Sequence, residues 1–142
     1  MIFRFVSTME YQVIYFSRGG NTKKIADAIA SEIGVQAEDV KGATLKKDTF
    51  LFLGSGSYGS KPGKPMTQFI DKHLFTSRNV ALFGTSGGGE GKEVQEMETQ
   101  LTSKEATVKG RFFCKGKFML FSRGRPNQDD IHEAKQFAKR MI

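Results

Sequence analysis

Three stretches of this chain collect glycine together with hydroxyl and charged side chains. They are Ser17-Arg18-Gly19-Gly20-Asn21-Thr22, Ser55-Gly56-Ser57-Tyr58-Gly59 running on to Pro65, and Thr85-Ser86-Gly87-Gly88-Gly89-Glu90-Gly91. Glycine lets a backbone turn its N–H groups inward, and hydroxyls add further donors, so such stretches suit an anionic group. The first is best placed for a phosphate. It leads into residues with helical spacing, where the free N–H groups and partial positive charge of a helix N-terminus would join the hydroxyls of Ser17 and Thr22. An ordinary strand-to-helix turn is the alternative. The second stretch, with Gly54 before it, spells G-x-G-x-x-G, the mark of a dinucleotide-binding turn. That turn needs its glycines to open a helix, with an acid about 20 residues later. Here Gly59 is followed by Ser60-Lys61-Pro62-Gly63-Lys64-Pro65, and the prolines block early helix continuation. The spelling is a coincidence, and the informative residue within it is Tyr58.

Other chemistries fail on spacing. "GSKPGKP" and "GTSGGGEGKE" approach a nucleotide-triphosphate loop but lack the Ser or Thr that follows its lysine. His73 and His132 are isolated from each other and from any metal-ligand or triad pattern. Asp129 and Asp130 follow Pro126 at the start of a helical pattern, where acids suit the helix N-terminus. Cys114, the single cysteine, sits between phenylalanines and reads as a small buried hydrophobe. No nucleophile–base pair emerges, so hydrolysis has no support.

The elements that would carry these stretches alternate. Apolar runs at Tyr11–Phe16, Val35–Val40, Phe50–Leu53 and Val80–Phe83, and the strand material in Phe112–Phe121, read as strands. Between them, helical spacing links Ile25, Ala26, Ile29, Ala30 and Ile33 (opened at Asn21 or Thr22 and closed by Gly34). It also links Met66, Phe69, Ile70 and Leu74, then Val94, Met97 and Leu101, then Ile131, Ala134, Phe137, Ala138 and Met141. This pattern predicts an α/β fold, a doubly wound parallel sheet of five strands with helices on both faces, in one domain over residues 1–142. The eight residues Lys41–Asp48 are too few for a normal crossover helix, so the second helix is expected to be shortened or absent. Ligands of such sheets lie beyond the carboxyl ends of the strands, where the three glycine-rich stretches fall. A phosphoacceptor domain on such a sheet would need a carboxylate after the third strand, where Ser55 and Ser57 stand.

"IYFSRGGNTKKIADAIA" closely resembles the phosphate loop and first helix of flavodoxins. The resemblance continues, in order, through "FLGSGSYG", "ALFGTSGGG", "FFCKGKF" and "GRPNQDD". It implies a flavodoxin-like three-layer sandwich with strand order 2-1-3-4-5, a noncovalent FMN cofactor, and electron transfer between protein partners. Carried over by position, Ser17, Gly20, Asn21 and Thr22 would bind the FMN phosphate, with Gly19 lacking the hydroxyl usual there and Arg18 a candidate to compensate. Ser55, Gly56, Ser57, Tyr58 and Gly59 would flank the flavin ring, with Tyr58 stacking on it. Thr85, Ser86, Gly87, Gly88, Gly89 and Glu90 would lie along its other edge, mainly through backbone groups. Many family members carry a second aromatic in that third loop. Its replacement by glycines leaves one flavin face open. Lys61, Lys64 and Lys92, against Glu90, are expected near the site and would favour a reduced, anionic flavin by Coulomb attraction. Two other functions fit the same residues: an FMN reductase acting on a quinone, tetrapyrrole or other small substrate at the open face, and a binding module that kept the fold without the flavin.

The 142 residues carry a net charge of +7, with 38% hydrophobic and 26% charged residues, a globular balance. From Lys109 to Arg125 six basic residues occur without an acid, a stretch suited to an acidic redox partner. Phe112, Phe113, Phe118 and Phe121 within it are explained by core alternation, so nucleic acid is not expected. No apolar run reaches the roughly 20 residues of a membrane span. The N-terminus makes a poor signal peptide, and one cysteine suits a reducing cytoplasm. Met1 and Met9 are both compatible with the start, the second leaving Met1–Thr8 as an extension.

Overall fold

The computed structural model describes residues 9–142, and Met1–Thr8, the stretch a start at Met9 would leave as an extension, lies outside them. The chain runs β1 (Glu10–Phe16), α1 (Asn21–Ile33), β2 (Ala37–Asp39), β3 (Thr49–Gly56), α2 (Lys64–Lys72), β4 (Asn79–Ser86), α3 (Lys92–Ser103), β5 (Thr107–Lys115) and α4 (Gln128–Met141). The five strands form one sheet in the order β2-β1-β3-β4-β5, every neighbouring pair parallel.

Successive side chains of a strand point to opposite faces, and here that sorts the core into two layers. Val13, Tyr15, Phe50, Phe52, Ala81 and Phe83 pack with α1 and α4 through Ile25, Ile29 and Phe137. Their neighbours Ile14, Phe16, Leu51, Leu53, Val80 and Leu82 pack on the other face with α2 and α3 through Met66, Ile70, Met97 and Leu101. Strands buried on both faces cannot show a polar–apolar alternation, which is why β3 and β4 read as continuous apolar runs. β5 pairs only with β4, and its exposure alternates along the strand.

No helix joins β2 to β3. The buried side chain of Gln12 holds that crossover instead: its amide nitrogen donates to the Thr44 carbonyl at 2.8 Å and to Glu38 at 3.0 Å, and its oxygen accepts from the Lys46 N–H at 3.1 Å. Val40 is buried beneath it, with Ala43 and Leu45 packed against the same core layer.

Three expectations change. β3 and β4 run on to Gly56 and Ser86, so Ser55, Gly56, Thr85 and Ser86 belong to strands rather than loops. Leu74 falls beyond the end of α2 and is 85% exposed. The strand material in Phe112–Phe121 divides, because β5 stops at Lys115. Phe118 and Phe121 then face each other across a tight turn, with backbone bonds of 3.0 and 2.8 Å in the two directions. Their side chains are exposed, as is that of Phe113, so core alternation accounts for Phe112 alone of the four.

Candidate functional site

The strand order reverses between β1 and β3, and the loops leaving these strands stand side by side, with Phe16 in register with Ser55. The loop after β1 is drawn tight by its own hydrogen bonding. Ser17 Oγ accepts the Gly20 N–H at 3.0 Å, which draws the loop into a turn. Gly20 takes a left-handed conformation (φ 97°) that costs other residues strain, and α1 starts directly after it without a side-chain cap. The first-turn amides of α1 are therefore left for a ligand or water. Gly19 has open space where a side chain would stand.

Two adjoining cavities occupy the carboxyl ends of β1, β3 and β4. The inner one, about 260 Å³, is lined by Ser17, Gly19, Asn21, Thr22, Gly56 and Thr85, among others. The outer one, about 520 Å³, is reached by Gly59, Gly88, Glu90 and Lys92. Arg18, Ser57, Tyr58, Ser86, Gly87 and Phe118 line both. Together they fall within the usual range for a cofactor site, with the Ser17–Thr22 loop lining the inner one and Tyr58 and Phe118 lining both. Among the described residues no cluster of His, Cys, Asp and Glu could hold a metal ion.

Three sequence-predicted residues, Gly20, Ser55 and Gly89, line neither cavity. Ser55 is fully buried, and its hydroxyl donates to the Gly56 carbonyl at 2.8 Å and accepts the Gly63 N–H at 2.9 Å, pinning the loop from Ser57 to Pro62. Gly89 (φ 69°) turns toward Lys115 instead of the cavities, its N–H bonded to Ser86 Oγ at 2.8 Å. Thr22 is buried and shares a 2.8 Å hydrogen bond with Thr85 Oγ1, which ties the start of α1 to the end of β4 on the cavity floor.

Tyr58 is held rather than free. Its hydroxyl accepts the Arg18 N–H at 3.0 Å, the Arg18 guanidinium lies 4.5 Å from its ring centroid, and Phe16 meets it edge-on at 5.7 Å. Gly56 has no side chain for a steric reason, since a Cβ there would stand 2.7 Å from the tyrosine hydroxyl. Of the lysines, only Lys92 reaches the outer cavity, with Glu90 at 3.6 Å. Lys61 and Lys64 line a separate groove between α2 and α3. The cationic group at the centre of the site is thus Arg18.

Several lining residues escaped the sequence reading. Gly116, Lys117 and Phe118 were expected in a strand, and the register of a turn after an edge strand leaves no periodic signal. Glu93 is the other. In the first turn of α3 it is fully buried beside Gly84, and neither carboxyl oxygen has a hydrogen-bond partner. Burial pushes its pKa from 4.5 up to about 7. Cys114 on β5 is also buried, and desolvation lifts its thiol to about 12, so it stays protonated and inert as expected of a core cysteine. His73 bonds the Phe69 carbonyl through Nδ1 at 2.7 Å in a structural role.

Comparison with known proteins places this geometry. The flavodoxin-domain family profile matches residues 12–120. The Methanocaldococcus jannaschii protein MJ0298 is 33% identical over 135 residues, covering 86% of this chain and 90% of that protein. The flavodoxin-like domain-containing protein BilS of Clostridioides difficile is 28% identical over 173 residues, covering 94% and 97%. Among solved structures, a flavodoxin from the domain Archaea superposes with a TM-score of 0.76 at 25% identity, over 92% of this chain and 94% of that one. Strand order and family profile agree: this chain belongs to the flavodoxin family.

Proposed function

We propose that the chain binds FMN noncovalently in the two adjoining cavities and carries electrons between redox partners. The observation that supports this most is that the two cavities share a wall of lining residues. A capless helix start and the Ser17–Gly20 turn lie at the inner end, and Tyr58 with Phe118 lies where the cavities join. The phosphate would take the amides of Gly19 to Thr22 and the Ser17 hydroxyl. Thr22 and Thr85, already bonded to each other, close the floor. Arg18 would offset anionic charge while its contact with Tyr58 keeps both side chains in place. Bound flavin supplies one- and two-electron chemistry, and the protein supplies position and the local field.

The docking side is the end of β5 and the turn that follows it, where Lys117 lines the inner cavity. Lys115, Lys117 and Arg123 have no ion-pair partner among the described residues, whereas Arg111 is paired with Glu98 and Arg125 with Asp130. An acidic redox protein fits that charge. Titrating FMN into the apoprotein while following flavin absorbance and fluorescence tests the reading. Saturable one-to-one binding is expected, and a protein that ignores FMN overturns it. Turnover of NAD(P)H or a quinone by the FMN-loaded chain alone would mark a reductase in place of a carrier.

A further inference from the structure

The turn between β5 and α4 is fastened to the cavity rim at three places. The Gly116 N–H donates to the Ser86 carbonyl at 2.9 Å, Asn21 Nδ2 donates to the Lys117 carbonyl at 2.9 Å, and Ser122 Oγ donates to the Gly87 carbonyl at 2.6 Å. The bonds thus reach the end of β4, the cradle and the glycine run. The apex is closed on itself by the reciprocal Phe118–Phe121 backbone bonds. Phe118 leans over Gly87, where an added Cβ would stand 3.1 Å from the Phe118 Cβ. It lines both cavities, as Tyr58 does, yet is 57% exposed. A large apolar ring bonded into place at a cavity mouth, and left half open to water, lacks the surface it would cover.

We propose that Phe118 is a flavin-binding residue: the turn from Gly116 to Ser122 supplies the aromatic wall that the glycine run Gly87–Gly89 does not. The inference rests on the FMN reading above. Gly87 then has a positive purpose, since a side chain there would crowd Phe118 and shift it by a few tenths of an ångström. The link from Asn21 to Lys117 joins the cradle to the same wall, so the phosphate and ring ends of the site are held as one frame.

FMN titrations of the wild type and of Phe118→Ala, Phe118→Leu and Phe118→Tyr test this, with flavin fluorescence in the bound state as a second readout. Leu74→Ser serves as a control at a remote and still more exposed hydrophobe. Phe118→Ala and Phe118→Leu are expected to bind roughly tenfold more weakly and to quench the flavin less, Phe118→Tyr to match the wild type, and Leu74→Ser to change neither. Unchanged affinity and quenching in Phe118→Ala and Phe118→Leu, with the wild type binding normally, overturns this inference and leaves the FMN reading standing. Failure of the wild type to bind FMN overturns both. Circular-dichroism melts shared by all five proteins exclude misfolding as the cause.

Discussion

Glu93 is the side chain near the site with the most to lose from its surroundings. A carboxyl group buried without a partner is kept neutral by the cost of desolvating its charge. The consequence for stability has a definite sign. Below about pH 4.5 the folded and unfolded chains both hold the proton, and Glu93 makes no difference. As pH rises toward 7 the unfolded chain releases the proton while the folded one retains it, so the folded state loses stability. The loss is complete above pH 7 at about 3 kcal/mol. Urea unfolding at pH 4 and pH 8 measures it. The wild type should lose about 3 kcal/mol more than Glu93→Gln between the two pH values. Equal losses contradict the buried, neutral carboxyl. Tyr58 shows how far residue types alone reach. Its place beside the cavities followed from the loop it occupies, but its engagement with Arg18, 40 positions away, and with Phe16 joins residues that no local pattern connects.

At the level of elements, what could be read was what repeats. α1, α3 and α4 carry apolar residues at helical spacing, and the structure places them close to the expected limits. β3 and β4 were legible as buried runs but too short, because Ser55 and Thr85 continue the strands with hydroxyls turned into the protein. The tight turn after β5 was illegible. Phe118-Met119-Leu120-Phe121 has the composition of a strand, yet the chain reverses there, with positive φ at Met119 and Ser122. The start of α4 was legible and carries a prediction. Asn127 Oδ1 accepts the Asp130 N–H at 3.0 Å, Asp130 returns the bond by accepting the Asn127 N–H at 2.8 Å, and the same carboxylate holds Arg125. Asn127→Ala should cost about 1 kcal/mol in urea unfolding. An unchanged midpoint would show that the cap is not formed in solution. Absence of a crossover helix after β2 was foreseeable from length, whereas the buried Gln12 that replaces it was not.

For the molecule as a whole, the sheet gathers at one end groups that are scattered along the chain: the cradle after β1, Tyr58 after β3, the glycines after β4 and Phe118 after β5. Arg18 and Lys117 line the cavities at that end, and Lys115 and Arg123 flank the turn that carries the exposed Met119, Leu120 and Phe121. Reversing Lys115 and Arg123 to glutamate spares the cavity lining and should slow reduction of the FMN-loaded chain by an acidic redox protein. The slowing should be large at low ionic strength and fade as salt screens the charges. A rate and salt dependence equal to the wild type would remove the docking assignment. The central claim, that the loop from Ser17 to Thr22 is a phosphate cradle serving a flavin site, is tested most directly by comparing FMN with riboflavin, which lacks only the phosphate. Charge-assisted hydrogen bonds to the cradle should make FMN bind on the order of a hundredfold more tightly in a fluorescence titration. Equal affinity for the two flavins would contradict the account.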